Sequence, residues 1–115
     1  MTEQIFKALG DATRLRIVAL LMQRELCVCE VMDCLDLSQP NASRHLTILK
    51  NAGVLSGRKQ AQWAYYKISE TFPEELYQYL SKTAPEIPGY AAAIERLHNS
   101  TAAEKCGCTH EEKKS

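Results

Sequence analysis

No aspartate or glutamate occurs anywhere from Leu37 to Ser69. That segment carries Arg44, Lys50, Arg58, Lys59 and Lys67, a charge of +5, in a chain of 115 residues whose 14 basic and 14 acidic side chains cancel. The remainder therefore holds nine basic against fourteen acidic groups, a charge of −5. One face can be positive enough to meet a polyanion although the molecule is neutral. Long apolar runs are missing too: nothing approaches the roughly 18 residues of a membrane span. The opening "MTEQIFKALGDATR" lacks the basic start and apolar core of an export leader. A soluble, cytoplasmic protein with no membrane partner is expected. Also absent are a CxxC in a βαβ setting, a phosphate-cradling glycine loop and a base placed beside a nucleophile. An enzyme, for instance a thiol oxidoreductase using a CxC, is for that reason the weakest function class.

What the chain does have is cysteine. Three of its five cysteines fall within "ELCVCEVMDC", residues 25–34. An odd number in a reducing compartment does not persist as a disulfide framework, so metal binding or thiol chemistry is the better reading. At this length the chain is expected to form one domain, small enough that a partner subunit helps it to bury apolar surface.

The pattern around the cysteines is helical. "TEQIFKAL" runs to Gly10, read as a C′ glycine, and Asp11 can cap "ATRLRIVALLM", whose Leu15, Val18, Ala19 and Met22 recur at helical spacing. Val28, Val31, Met32 and Leu35 predict a short third helix ending before Ser38. In "LSQPNASRHLTILKNAGVL", Ser38 is a good N-cap, Pro40 falls in the first turn where its missing N–H costs nothing, and Gly53 lies just past the end. Ala42, Leu46 and Leu49 share one face of this fourth helix. Ser43, Arg44, Thr47 and Asn51 spread over the other, which has hydrogen-bonding groups and no acids. His45 sits beside the apolar face and is read as a packed, hydrogen-bonded histidine.

After Gly53 the composition turns to β-branched and aromatic residues. A hairpin is predicted, about Val54 to Arg58 and Trp63 to Ile68, with Arg58 and Lys59 at a basic tip. Two helices joined by a tight turn and followed by a basic hairpin make a winged helix-turn-helix. The expected fold is thus mainly α with a β-hairpin wing. In such a unit the second helix enters the major groove and the wing lies along the backbone. Double-stranded operator DNA is the expected partner, met by Gln39, Asn41, Ser43, Arg44, Thr47 and Lys50 of the helix and by Arg58 and Lys59 of the wing. Beyond Ser69, helices are predicted in "FPEELYQYLSKTA" and "GYAAAIERLHNSTAAEK". Their apolar stripes lie outside the helix-turn-helix, and Leu76, Tyr79 and Leu80, with Ile5 and Phe6, are candidates for a homodimer interface. Residues 1–103 are read as the DNA-binding and dimerisation domain and 104–115 as a flexible, cysteine-containing tail.

"LGDATRLRIVALL", "ELCVCEV", "LSQPNASRHLTILKNAGVL" and "RKQAQWAYYKIS", in that order, resemble the ArsR/SmtB family of bacterial metal-responsive repressors, the arsenic-responsive members above all. The resemblance is strong from Gln4 to Ser69. It implies a homodimer that binds operator DNA and releases it when metal binds, with As(III) or Sb(III), inorganic or as an organoarsenical, as the inducer and no catalytic cofactor. Cys27 and Cys29 match the family's CVC pair at the start of its metal-binding helix. Residues two apart in a regular helix point about 200° from each other, so both thiolates reach one ion only if that turn is distorted. Relatives commonly place a further cysteine where this chain has Met32. The third thiolate is left open between Cys34, two residues later, and the tail pair Cys106 and Cys108. Trivalent arsenic favours three thiolates and a monoorganoarsenical needs two. Thiolates select soft ions, whereas zinc ordinarily takes four ligands. A zinc- or cadmium-responsive repressor and a thiol redox switch remain as alternatives.

Overall fold

The computed structural model describes residues 2–101, and the tail cysteines Cys106 and Cys108 lie outside them. Six helices and three strands follow in the order α1 (Thr2–Leu9), α2 (Ala12–Leu21), β1 (Leu26–Cys27), α3 (Val28–Leu35), α4 (Gln39–Asn51), β2 (Leu55–Gln60), β3 (Trp63–Ile68), α5 (Glu74–Thr83) and α6 (Tyr90–Asn99). A 3-10 turn, Ala84–Glu86, joins the last two helices. The arrangement is a winged helix-turn-helix, mainly helical with a small antiparallel sheet, as the sequence pattern predicts.

Local chemistry sets the boundaries. Asp11 caps α2 by accepting from the Arg14 amide at 3.1 Å, and Ser38 Oγ caps α4 by accepting from the Asn41 amide at 3.3 Å. At the other end of α4, Gly53 takes the left-handed φ of 85°. Its amide donates to the Lys50 carbonyl and that of Val54 to the Leu49 carbonyl, the paired bonds of a Schellman turn. Gly10 differs from expectation. It follows directly on α1 and is not among the residues with positive φ, so no left-handed C′ cap closes that helix.

Helix α2 is buried more widely than a single stripe. Ile17 to Leu21 are all buried, because α1, α3, α4, α6 and β3 pack around it. Leu26, Val31, Leu46, Leu49 and Val54 complete the centre of the core. The hairpin also departs from its predicted bounds. β2 continues to Gln60, which moves Arg58 and Lys59 from the tip into the strand, and the turn is made at Ala61 and Gln62, with Ala61 at φ 57°. The sheet has a third member, β1, in the order β1-β3-β2, with Leu26 opposite Tyr66 and Cys27 opposite Tyr65.

Candidate DNA-reading face and thiol site

The turn between α3 and α4 spans Asp36 to Ser38, with Asp36 left-handed at φ 56°. It sets α4 with Ala42, Leu46 and Leu49 in the core and Gln39, Asn41, Arg44, Thr47 and Lys50 exposed. His45 is buried, and its Nδ1 lies 3.3 Å from Arg14 Nη1. Since the guanidinium can only donate, Nδ1 accepts and the ring is neutral, with its proton on Nε2. Burial, and then the nearby Arg44 charge, lower the His45 pKa below its usual value. Arg14 also donates from Nε to the Ala8 carbonyl at 2.6 Å, joining α1, α2 and the reading helix.

On the wing, Lys59 is exposed. Arg58 turns inward: it donates from Nη2 and Nε to the two carboxylate oxygens of Glu25 at 2.9 and 3.0 Å, and from Nη1 to Gln60 Oε1 at 2.8 Å. Its guanidinium carbon stands 4.4 Å from the centre of the Tyr65 ring. Tyr65 is paired with Arg58 on one side and Cys27 on the other. Directly opposed residues project to the same side of a sheet, so Cys27, Tyr65 and Arg58 form one row across the three strands.

Cys27 is not helical. It ends β1 in extended conformation, φ −88° and ψ 165°, and serves as N-cap of α3, while Cys29 is within the first helical turn. The pair thus straddles a strand-to-helix junction, and the 200° divergence expected of two residues in one helix does not apply. The backbone at Cys27 already bends where the helix begins. What restrains Cys27 is its setting. It is 0% exposed, packed with Tyr65 and against Cys29 and Trp63. Its amide donates to Glu30 Oε1 at 2.9 Å in a capping-box arrangement. Glu30 is itself buried and pairs through Oε2 with Arg24 at 3.1 Å.

Cys34 lies elsewhere. It is buried in the main core cluster, and desolvation first, then the Asp33 and Glu30 charges, push its pKa up to about 11. Among the described residues no three His, Cys, Asp or Glu side chains gather in a way that could hold a metal ion. The candidates for a dimer face divide as well. Phe6 is 57% and Tyr79 63% exposed, Ile5 and Leu76 are half-buried, and Leu80 belongs to the protomer's own core.

Sequence reasoning missed Glu25, Glu30, Trp63 and Tyr65. Two signals were available: Glu30 stands three residues after Cys27, the spacing of a capping box, and Trp63 and Tyr65 stand two apart on a strand and so share a face. A cavity of about 490 Å³ opens beside Cys29. Val28 and Met32 of α3, Ser43 of α4, and Lys59, Trp63 and Tyr66 of the wing are among its lining residues. It therefore touches all three parts of the DNA-binding unit.

Residues 11–56 match the family described as bacterial regulatory protein, arsR family. The arsenical resistance operon repressor of Escherichia coli K12 is 45% identical over 92 residues, covering 79% of this chain and 66%, just under two thirds, of that protein. The arsenic resistance transcriptional regulator ArsR2 of Pseudomonas putida KT2440 is 44% identical over 80 residues, covering 69% of this chain and 70% of its own. Among solved structures, HlyU from Vibrio cholerae superposes with a TM-score of 0.65 at 33% identity, over 70% of this chain and 88% of that one. The homodimeric winged helix-turn-helix DNA-binding domain of Mb0332 from Mycobacterium bovis, described as a possible ArsR-family regulator, gives 0.62 at 26%, over 72% and 74%.

Proposed function

Because the chain belongs to the arsR family of bacterial regulatory proteins, we propose that it is a transcriptional repressor that binds operator DNA as a homodimer and lets go when trivalent arsenic or antimony bonds to Cys27 and Cys29. The observation that carries this reading is the position of Cys27. The same residue ends the strand paired to Tyr65 of the wing and caps the first helix of the helix-turn-helix. A soft ion that draws its sulfur toward Cys29 pulls on both DNA-contacting elements at once. The ion then favours a conformation other than the DNA-competent one, and its differential affinity for the two sets the coupling.

In this reading α4 presents Gln39, Asn41, Arg44, Thr47 and Lys50 to the major groove, Ser43 stands at the edge of the contact, and Lys59 meets phosphate. One helix reads too few base pairs for operator specificity, so two protomers take two half-sites. Exposed Phe6 and Tyr79 are the apolar side chains of the described residues best placed to join them. Cys29 packs against Cys27 at this junction, which supports the two as a thiolate pair in the reduced protein. Cys34 is buried in the main core cluster, where desolvation raises its thiol pKa, and the third thiolate for inorganic arsenite is proposed to come from Cys106 or Cys108. Titrating the reduced protein on fluorescently labelled operator DNA with arsenite, antimonite, cadmium, zinc and peroxide tests the proposal. Release by arsenite and antimonite is expected at the lowest concentrations, and release by peroxide or zinc alone would replace it with the redox or zinc reading.

A further inference from the structure

A cavity of about 340 Å³ lies between α1, α2 and the C-terminal end of α4, and it shares no lining residue with the cavity beside Cys29. Its volume is within the range of small-molecule sites, about 300 to 1,000 Å³. Gln4, Lys7 and Ala8 reach it from α1 and Ile48, Asn51 and Ala52 from α4, each trio at the i, i+3, i+4 spacing of one helix face. Arg14 enters from α2. Two cations line the cavity and no acid does. Among the described residues the exposed Lys7 ammonium makes no ion pair. Arg14 has only neutral acceptors: Nε donates to the Ala8 carbonyl, Nη1 to His45 Nδ1 and Nη2 to the Lys7 carbonyl. Each terminal nitrogen keeps a further N–H. The Asp11 carboxylate, near enough to feel that charge, accepts from the Arg14 amide as cap of α2 and does not line the cavity. Beneath the cations the floor is apolar, made by buried Ala8 and Ala52 and half-buried Ile48.

We propose that this cavity binds a small organic anion, a carboxylate on a short apolar body, between α1 and the reading helix. The carboxylate meets the Arg14 guanidinium and the Lys7 ammonium in charge-assisted hydrogen bonds. The Gln4 and Asn51 side-chain amides offer further donors at the rim, and the apolar body covers the floor. An inorganic anion or a phosphodiester would satisfy the cations but leave that floor in water. Phe6 projects away from the face of α1 that holds Gln4, Lys7 and Ala8, so a dimer joined through Phe6 leaves the cavity open. No cysteine lines it, and the site is therefore separate from the inducer site proposed above.

The probe is benzoate, with benzamide as its neutral isostere and inorganic phosphate as an anion without an apolar body. Each is titrated into the reduced full-length protein and followed by backbone amide NMR shifts. Benzoate is expected to bind with a Kd of about 1 mM or tighter, and benzamide and phosphate at least about tenfold more weakly. The shifts should centre on residues 4–8, 14 and 48–52. Gln4→Glu puts a like charge into the cavity and Lys7→Gln removes a cation, both at exposed positions. Each variant is first shown to unfold as wild type does, and each should weaken benzoate by about three- to tenfold. Absence of benzoate binding, shifts centred elsewhere, or unchanged affinity in both variants overturns the proposal. Benzamide binding as tightly as benzoate overturns it too, by reducing the cavity to an apolar contact. Phosphate binding as tightly as benzoate, with operator DNA displacing both, would assign the cations to the DNA backbone instead. Benzoate should bind Cys27→Ser, Cys29→Ser protein as it binds wild type, so this test and that of the repressor reading can fail separately.

Discussion

Glu25 and Arg58 meet through two hydrogen bonds, at 2.9 and 3.0 Å, across the central strand of the sheet that holds Cys27. Glu25 lies two residues before Cys27, and Arg58 stacks on the Tyr65 ring that pairs with it. The most basic stretch of the wing is therefore partly neutralised from within the protomer. An arginine committed to a carboxylate in this way holds the segment that leads into Cys27 to the wing.

The two adjacent wing cations are expected to behave differently. Lys59→Ala should lower the salt dependence of operator binding by about 0.9 in log–log slope, as for one lost phosphate contact. Arg58→Ala should leave that slope nearly unchanged and destabilise the fold by about 1–2 kcal/mol, from the exposed side of the ion pair and the ring contact. Affinity measured between low and moderate salt, with urea unfolding of both variants, separates the roles. An equal slope change in the two would place Arg58 on DNA.

Glu30 positions the β1–α3 junction. Its Oε1 accepts from the Cys27 amide and its buried carboxylate pairs with Arg24. Glu30→Ala should cost about 1.5–3 kcal/mol, the range for a hydrogen bond to a charged group, whereas Glu30→Gln keeps the acceptor and should cost less. If the two substitutions unfold at the same denaturant concentration as wild type, the cap does not hold the junction.

The His45 ring makes stability depend on pH. Burial depresses its folded pKa, so below the unfolded value of 6.5 the unfolded chain takes up a proton that the folded chain does not. Stability should therefore fall as pH drops below about 6.5, at a limiting slope of about 1.4 kcal/mol per pH unit, and be unaffected by this group above it. His45→Gln should flatten the pH 5–7 profile measured by chemical unfolding. An unchanged profile would show that the ring titrates alike in the folded and unfolded chains.

Cys34 is expected to be silent in sensing. Its thiol, with a pKa of about 11, is protonated near neutral pH and shielded in the core. Cys34→Ala should lower stability by about 1 kcal/mol through the lost packing and leave arsenite-induced release intact. Loss of the arsenite response in a variant that remains folded would return Cys34 to the ligand set.

The parts of this fold that the sequence makes legible are those where a single residue type controls a boundary. Asp11, Ser38, Pro40 and Gly53 mark the ends of α2 and α4 because capping depends on side chains and on φ. The exposed face of α4 follows from periodicity over thirteen residues. Strand β1 escapes because two residues carry no period, and it exists only through its pairing with β3, distant in sequence. That omission misplaced Cys27 inside a helix. The inward turn of Arg58 is equally illegible, since it depends on Glu25, 33 residues away, and on an aromatic ring brought between them by the sheet. Leu80, read as interface, joins the core because α5 packs its own stripe within the protomer.

The central claim is that capture of a soft ion at Cys27 and Cys29 is what releases DNA. It is tested most directly by operator-binding anisotropy of the reduced Cys27→Ser, Cys29→Ser double variant, titrated with arsenite beside wild type. The expected result is wild-type affinity without arsenite and no loss of affinity with it, where wild type weakens by about 5- to 150-fold, the range of typical coupling energies. Full arsenite-induced release from the double variant would contradict the account and move sensing away from the β1–α3 junction.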